Sequence, residues 1–290
     1  MSVSPDKEDS MRIEPSGQTS GALIHDLDLR KTLSAEQHQE IRKVWLQYQV
    51  VGITGQSASI SDIERFAAGV GPFGEDPFIA AIPGHDHVIE VRRDPNEKAA
   101  IFAGNWHSDW SFLASPPAAT LLYGEVIPPI GGDTLFANLY AAYEALPDRL
   151  RAQADAAIAV HSAKRSYSNE GRYSKKNDQG RSMDIRSNDS ALATQTHPLV
   201  RTHPETGRKC LFASPAYTLK IDNMPEDEGN GLLAELFEHM DKPEFTYRHE
   251  WRQGMLTIWD NRCLNHKATG GFEGHQRLLY RITVGEQLAA

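Results

Sequence analysis

The chain predicts a mainly β domain with helical additions, a β-sandwich or small barrel, on three observations. Short runs of alternating or β-branched residues recur along it. Gly, Pro, Asn and Asp separate those runs, and the helical stretches cluster before and between them instead of alternating with them one for one. The 290 residues suffice for a sizeable core and contain no internal repeat or domain-breaking linker. Residues 1–10 are expected to be disordered and 11–290 to form a single domain.

The elements follow in order. "MRIEPSGQTSGALIHDLDL" reads as short strands around turn residues. Ser34 and Gln37 fit a capping box, and Ile41, Val44, Trp45 and Tyr48 then fall on one helical face. "VVGIT" is a buried strand. Ser59 or Ser61 caps a second helix with Ile63, Phe66, Ala67 and Val70 on its apolar side, and "GPFGEDP" ends it. "HVIEVRR" (87–93) alternates as a strand and "DPNEKAA" turns; "AATLLYGEVI" (118–127) and "GDTLFAN" (132–138) are further strands. Helices are expected over 139–146 and 147–157. Residues 162–189 are polar and basic, with Lys164, Arg165, Arg172, Lys175, Lys176 and Arg181. So long a loop in a compact domain is either a mobile functional lid or a passive, disordered stretch, and its charge suits a lid over an anion. "THPLVRTHPETGRKCLFAS" gives two strands around an "HPETGR" turn, "EGNGLLAELFEHM" a helix, and "EFTYRHEW", "GMLTIWD" and "QRLLYRITV" strands.

Composition narrows the function classes. The formal net charge is −9 and no basic tract dominates, which argues against a nucleic-acid partner. Two cysteines, Cys210 and Cys263, provide neither a disulfide framework nor a zinc pattern. "MSVSPDKEDS" carries no apolar signal core, and no apolar stretch approaches the length of a membrane span. The expectation is a cytoplasmic protein in a reducing setting, acting on a small molecule and forming a homo-oligomer.

"GNWHSDW" (104–110) places a histidine two positions before an aspartate. If the stretch is a strand, His107 and Asp109 project from one face and Ser108 from the other. An imidazole and a carboxylate so placed could be two thirds of a divalent iron site, with one more imidazole needed and three positions left open. His161, His197, His203, His249, His266 and His275 are the candidates for the third. His266 stands out because it follows "LTIWDNRCLN", a strand running into a turn, and precedes a glycine-rich loop. "GHDHV" (His85, His87) reads instead as an exposed turn, and "THPETG" (His203, Glu205) as a hairpin turn. Arg277 and Arg281 would share a strand face. Two guanidinium groups on the metal side would be costly without anions, and arginine's planar fork suits a carboxylate. The plainer alternative is an internal salt bridge to Asp or Glu.

"WHSDWSF", "GGDTLFAN", "HPLVRTHPETGRK", "WDNRCLNH" and "HQRLLYR", taken in order, resemble the signature segments of the taurine dioxygenase family, from about Leu23 to Val284. The similarity is strongest in feel to the members that cleave phenoxyalkanoate herbicides. It implies a double-stranded β-helix, or jelly roll, and an iron(II)- and 2-oxoglutarate-dependent dioxygenase that uses O2 and releases succinate and CO2, helped in vitro by ascorbate. By position it implies that His107, Asp109 and His266 hold the iron, that Arg277 and Thr134 hold the distal carboxylate of 2-oxoglutarate, and that Trp259 packs near the metal. Arg281 sits where relatives bind the acidic group of the prime substrate. Taurine-using relatives surround the substrate with polar residues, where an ungapped alignment places Asp76, Ile79 and Ala103 here. With Phe78, Ile79 and Phe102 as walls, the pocket is expected to be apolar. The expected substrate is an arylalkanoate, an aryloxyalkanoate, or an alkyl sulfate or sulfonate. The alternatives are a taurine or sulfonate dioxygenase, and a non-catalytic or 2-oxoglutarate-independent metal-binding barrel.

Overall fold

In the computed structural model, which describes residues 11–177 and 180–286, the chain runs β1 (Arg12–Pro15), β2 (Ala22–His25), α1 (Ala35–Tyr48), β3 (Val50–Ile53), α2 (Ile60–Val70), β4 (Ile89–Arg93), β5 (Ala119–Val126), β6 (Thr134–Asn138), α3 (Leu139–Glu144), α4 (Asp148–Ala156), β7 (Ile158–Ser162) and α5 (Lys164–Tyr167). It continues through β8 (Thr194–Pro198), β9 (Val200–Thr202), β10 (Lys209–Leu211), β11 (Thr218–Ile221), α6 (Glu226–Met240), β12 (Thr246–His249), β13 (Leu256–Asp260), β14 (Leu264–Ala268) and β15 (Arg277–Val284). The expected disorder of residues 1–10 lies outside the described residues.

Both N-terminal helices begin as the sequence reads. Ser34 and Gln37 close a full capping box on α1, and Ser59 with Asp62 does the same on α2. These reciprocal bonds satisfy amide groups that a helix start leaves without partners. The buried stripe of α1 is Ile41, Val44 and Trp45, and that of α2 is Ile63, Phe66 and Ala67. Both pack on the outer face of a seven-stranded sheet ordered β1-β2-β3-β13-β5-β15-β4. All its pairings are antiparallel except β2 with β3.

The inner face of that sheet meets a smaller sheet, β12-β6-β14. Leu122, Trp259 and Leu279 from the first share one core with Phe136, Ala137, Leu264 and Tyr247 from the second. This is the two-layer packing of a jelly roll, with the site between the layers. A third sheet, β11-β7-β8, and the β10-β9 hairpin extend the edge, covered by α3, α4 and α6. No helix is long and apolar enough to cross a membrane among the described residues.

The 162–189 segment, expected to be either a lid or a disordered stretch, has local structure among its described residues. It contains α5 and a short 3-10 turn at Lys175–Asn177, and it buries Tyr167, Tyr173 and Met183 in a satellite core with Phe78, Ile79, Trp110 and Tyr217. Glu97 fastens the segment from outside by accepting hydrogen bonds from the Ser182 amide and hydroxyl at 3.0 and 2.7 Å. Interspersed aromatic residues, hidden by the polar composition, give it this core.

Candidate active site

His107 and Asp109 are not on a strand, as their spacing had suggested. They lie in an irregular stretch touched by a single bridge, His107 to His266. His107 donates its amide to the His266 carbonyl at 3.0 Å, and His266 returns one at 2.7 Å. Directly opposed residues send their side chains to the same side, and the two rings stand 4.1 Å apart. His266 lies on β14, paired with Phe136 of β6, after the turn that follows β13. Ser108 does point away, donating to the Asn261 carbonyl at 2.6 Å.

The donor atoms of His107, Asp109 and His266 lie within 4.8 Å of one another, and all three residues are buried. The Nδ1 of His107 sits 2.8 Å from the Asn105 carbonyl, which can only accept. Nδ1 therefore carries the proton, and the Nε2 lone pair faces the cluster. Burial lowers the pKa of both imidazoles, so they are neutral. Burial opposes ionisation of Asp109, but the Arg281 guanidinium and a 2.7 Å hydrogen bond from Thr120 hold its pKa below the ordinary carboxylate value. Two neutral imidazoles and one carboxylate with an open side form the donor set of non-haem iron(II). Behind Asp109, Trp259 donates to Asn261, and Asn261 to Thr120, orienting the carboxylate through three bonds of 2.7–3.0 Å.

Two non-glycine residues bracket this stretch in left-handed backbone, Ala103 (φ 57°) and Trp110 (φ 47°). Such conformations cost of order 1–3 kcal/mol each and persist only where the surroundings impose them. Ala103 is held by its amide on the Tyr173 hydroxyl (3.0 Å) and its carbonyl on the Ala268 amide (2.9 Å). Trp110 is clamped among Phe112, Tyr167 and the Arg281 guanidinium.

The same chamber is lined by Val91, Phe102, Ala103, Leu122, Thr134, Trp259, Ala268, Arg277 and Arg281. Arg277 is buried, and among the described residues its Nε has no partner and its guanidinium makes a single hydrogen bond, to the Gly132 carbonyl at 3.1 Å. Burial lowers its pKa to about 10, with Asp133 pulling weakly the other way. Gly131 and Gly132, both at positive φ, make that seat: a Cβ on Gly131 would strike the Gly271 backbone at 2.5 Å. Thr134 faces the same space. Its hydroxyl accepts from Trp251 Nε1 at 3.0 Å, which leaves the hydroxyl proton free to donate inward. A buried guanidinium short of an anion, beside a donating hydroxyl, fits one carboxylate of a 2-oxo diacid.

Arg281 is placed differently. Its guanidinium lies 3.0 Å from Asp109 and 3.7 Å from Asp76, over the Trp110 ring. Asp76, pushed up to about 6 mainly by burial, and Ile79 line an adjoining outer cleft that shares Arg281. Phe102 and Ala103 do line the chamber, and Trp259 packs on His266 at 4.9 Å. Phe78 lines neither space; it stacks on Tyr167 at 4.7 Å as part of the satellite core. Sequence reasoning missed Trp251, behind Thr134, and Tyr217, whose ring meets His107 edge-on at 5.8 Å. No periodicity marks either one.

The rejected histidines have other partners. His85 bonds Glu64 at 2.7 Å, and His87 stacks on Phe73. His203, in the β9–β10 hairpin turn, is buried, and with Asp260 and Cys263 it forms a second group of possible ligands. Its Nδ1 accepts from the Glu205 and Thr206 amides, so Nε2 carries the proton and donates to Asp260 at 3.0 Å. Arg262 grips the same carboxylate through two bonds of 2.8 and 2.7 Å. With its lone pair and its charge both used, this cluster is a structural clasp.

A sequence profile described as "Taurine catabolism dioxygenase TauD, TfdA family" matches residues 12–283. The chain is 35% identical to the alpha-ketoglutarate-dependent 2,4-dichlorophenoxyacetate dioxygenase of Cupriavidus pinatubonensis, covering 90% of this chain and 93% of that one. It is 31% identical to an alkylsulfatase of Acinetobacter baylyi over 92% and 83% of the two chains. Among solved structures, a taurine dioxygenase from Burkholderia xenovorans superposes with a TM-score of 0.78 at 31% identity, over 96% of this chain and 92% of that one.

Proposed function

The chain belongs to the TauD/TfdA family of taurine catabolism dioxygenases, and from that premise we propose that His107, Asp109 and His266 hold its iron(II) while Arg277 and Thr134 hold the distal carboxylate of 2-oxoglutarate. The enzyme is an iron- and 2-oxoglutarate-dependent dioxygenase. One observation carries the residue assignment: two neutral imidazoles, one carboxylate and one uncompensated guanidinium converge on a single buried chamber.

When bound, iron and 2-oxoglutarate supply oxygen activation and hydrogen abstraction, with succinate and CO2 released. The protein's own groups place and protect. His107 presents its Nε2 lone pair, His266 adds a second imidazole, and Thr120 fixes the Asp109 carboxylate. Arg277 and the Thr134 hydroxyl fix one end of the diacid, and Trp259, Phe102 and Leu122 keep water from the chamber.

The prime substrate is a small anion with an apolar body: an aryloxyalkanoate, an arylalkanoate, or an alkyl sulfate or sulfonate. The apolar walls at Phe102, Val91 and Leu122 favour this reading over taurine. Asp76, 3.7 Å from Arg281, could accept an ammonium group, but it lines the outer cleft and not the chamber that holds His107. Arg281, beside the proposed metal ligands, contacts the acidic group. The protein acts in the cytoplasm as a homo-oligomer, and ascorbate sustains it in vitro. The test is succinate release with iron(II), 2-oxoglutarate and ascorbate, comparing 2,4-dichlorophenoxyacetate, a medium-chain alkyl sulfate and taurine. Coupled turnover of either apolar acid is expected; efficient turnover of taurine with neglect of both refutes the substrate class.

A further inference from the structure

Tyr247 and His249, two apart on β12, are both buried, while Arg248 between them is exposed. β12 pairs with β6 so that its last residue, His249, stands opposite Thr134. Two residues further on, Trp251 lies buried against the same threonine, its Nε1 donating to the Thr134 hydroxyl at 3.0 Å. Both ring nitrogens of His249 are in use, one 3.0 Å from the Tyr247 hydroxyl and the other 2.9 Å from that of Thr257. Burial, with Arg252 adding to it, holds its pKa at about 3, so the ring is neutral. Tied at both ends, the imidazole is a fixed wall, and the Trp251 indole stands edge-on against it at 4.9 Å and 89°.

A hydroxyl has one proton and two lone pairs, and an indole N–H can only donate. The Trp251 bond therefore occupies a lone pair of Thr134 and leaves its proton for another acceptor. Among the described residues, that hydroxyl donates to none. Thr134 lines the chamber together with Arg277, whose guanidinium carbon lies 6.0 Å from the Trp251 ring centroid and 5.5 Å from that of Phe272. Asp133, next to Thr134 in the chain, is turned to Arg248, which donates to it at 2.6 Å. Among the described residues no ion pair joins it to Arg277, so the two donors that face the chamber, one charged and one neutral, share no carboxylate of the protein.

We infer that Trp251 is the positioning residue of the co-substrate seat: it holds the Thr134 hydroxyl as a donor, and His249 holds Trp251, so the distal carboxylate of 2-oxoglutarate meets two donors already in place. The inference rests on the reading that Thr134 and Arg277 take that carboxylate. Without the indole N–H the hydroxyl turns freely, and binding has to order it. The bond from Trp251 also polarises the hydroxyl, which strengthens the bond it donates in turn.

The experiment measures, by calorimetry, binding of two chelating anions to the full-length protein loaded with Mn(II): N-oxalylglycine, which carries a distal carboxylate, and oxalate, which has none. Trp251→Phe keeps a ring beside Arg277 and removes the N–H. It should weaken N-oxalylglycine about fivefold, a change of about 1 kcal/mol, and leave oxalate unchanged. Thr134→Val should also weaken N-oxalylglycine, and adding Trp251→Phe to it should cost nothing further, because no hydroxyl is left to orient. The same cycle with Trp251→Leu serves if the phenylalanine variant does not fold. Unchanged N-oxalylglycine affinity in Trp251→Phe overturns the inference, as does an equal loss for both anions or a second fivefold loss in the Thr134→Val background. Wild-type affinity in Thr134→Val would instead overturn the placing of the diacid on Thr134, and the inference with it, so the two failures are told apart.

Discussion

Replacing Arg277 with methionine should leave the ligand-free protein at least as stable while abolishing its response to 2-oxoglutarate. The guanidinium is buried, keeps one hydrogen bond and is held near pKa 10. Measured against its ordinary 12.5, that depression corresponds to about 3 kcal/mol of unrepaid desolvation. The sign follows directly: burial disfavours the charged form, so the cost is full below pH 10 and is relieved only as pH rises from about 10 toward 12.5. Methionine keeps an apolar stem against Phe272 and removes the cost, and hydrophobic replacements of buried charges are often neutral or stabilising. At roughly 2 °C per kcal/mol for a chain of this size, the ligand-free Tm should lie between unchanged and about 6 °C higher. The diacid, by contrast, loses a charge-assisted partner worth about 2–5 kcal/mol, so its apparent affinity should fall by about 30-fold to several thousand-fold. Thermal unfolding with Mn(II), titrated with 2-oxoglutarate, reads both halves at once. A ligand-induced shift retained in Arg277→Met, or a ligand-free Tm lowered by many degrees, would refute the reasoning.

Alanine at His107, Asp109 or His266 should abolish succinate release while circular dichroism stays native, and His85→Ala should remain active; normal turnover of Asp109→Ala would sink the ligand set. Asp260→Asn should cost about 3–5 kcal/mol by stranding Arg262, with Mn(II) affinity unchanged. Asp260 is held at about 2 by Arg262 and His203 against the effect of burial, below its ordinary 3.8. Its stabilisation is therefore full above pH 4 and lost as pH falls through 2, and acid unfolding of the asparagine variant should lack that component. Glu97→Ala should speed proteolytic cutting within 162–189 several-fold, because Ser182, Arg93 and Arg181 lose a shared acceptor. Equal cutting rates would mean the satellite core alone holds the segment.

The architecture was legible where local chemistry announces itself. The capping boxes at Ser34 and Ser59, the β13 and β15 runs and the shared face of Arg277 and Arg281 follow from pattern alone. β7 and β11 were missed because each is short and flanked by polar residues, and the pairing that makes them strands comes from partners distant in sequence. The His-x-Asp pair was read through the wrong element. Its common direction comes from a bridge to His266 and from clamps at Ala103 and Trp110, none of which a spacing of two reveals. Asp76 was placed around the substrate by an ungapped alignment; its proximity to Arg281 belongs to tertiary packing, which the sequence does not display. His203 shows the same limit: a Pro-Gly turn signal describes the backbone correctly and says nothing about a side chain folded back beneath it.

The two left-handed residues bear on how this arm can be inherited or borrowed. Residues 103–110 hold their shape under outside restraint, from Tyr173 at one end and Tyr167, Phe112 and Arg281 at the other. Grafted alone into another barrel, the octapeptide would relax into ordinary backbone and its imidazole and carboxylate would drift apart. Residues 103–110 and the tyrosines of the 162–189 segment are therefore a single heritable unit. A change at Tyr167 or Tyr173 also alters the restraint on residues 103–110, so any variation of that segment is coupled to the geometry of the imidazole and carboxylate.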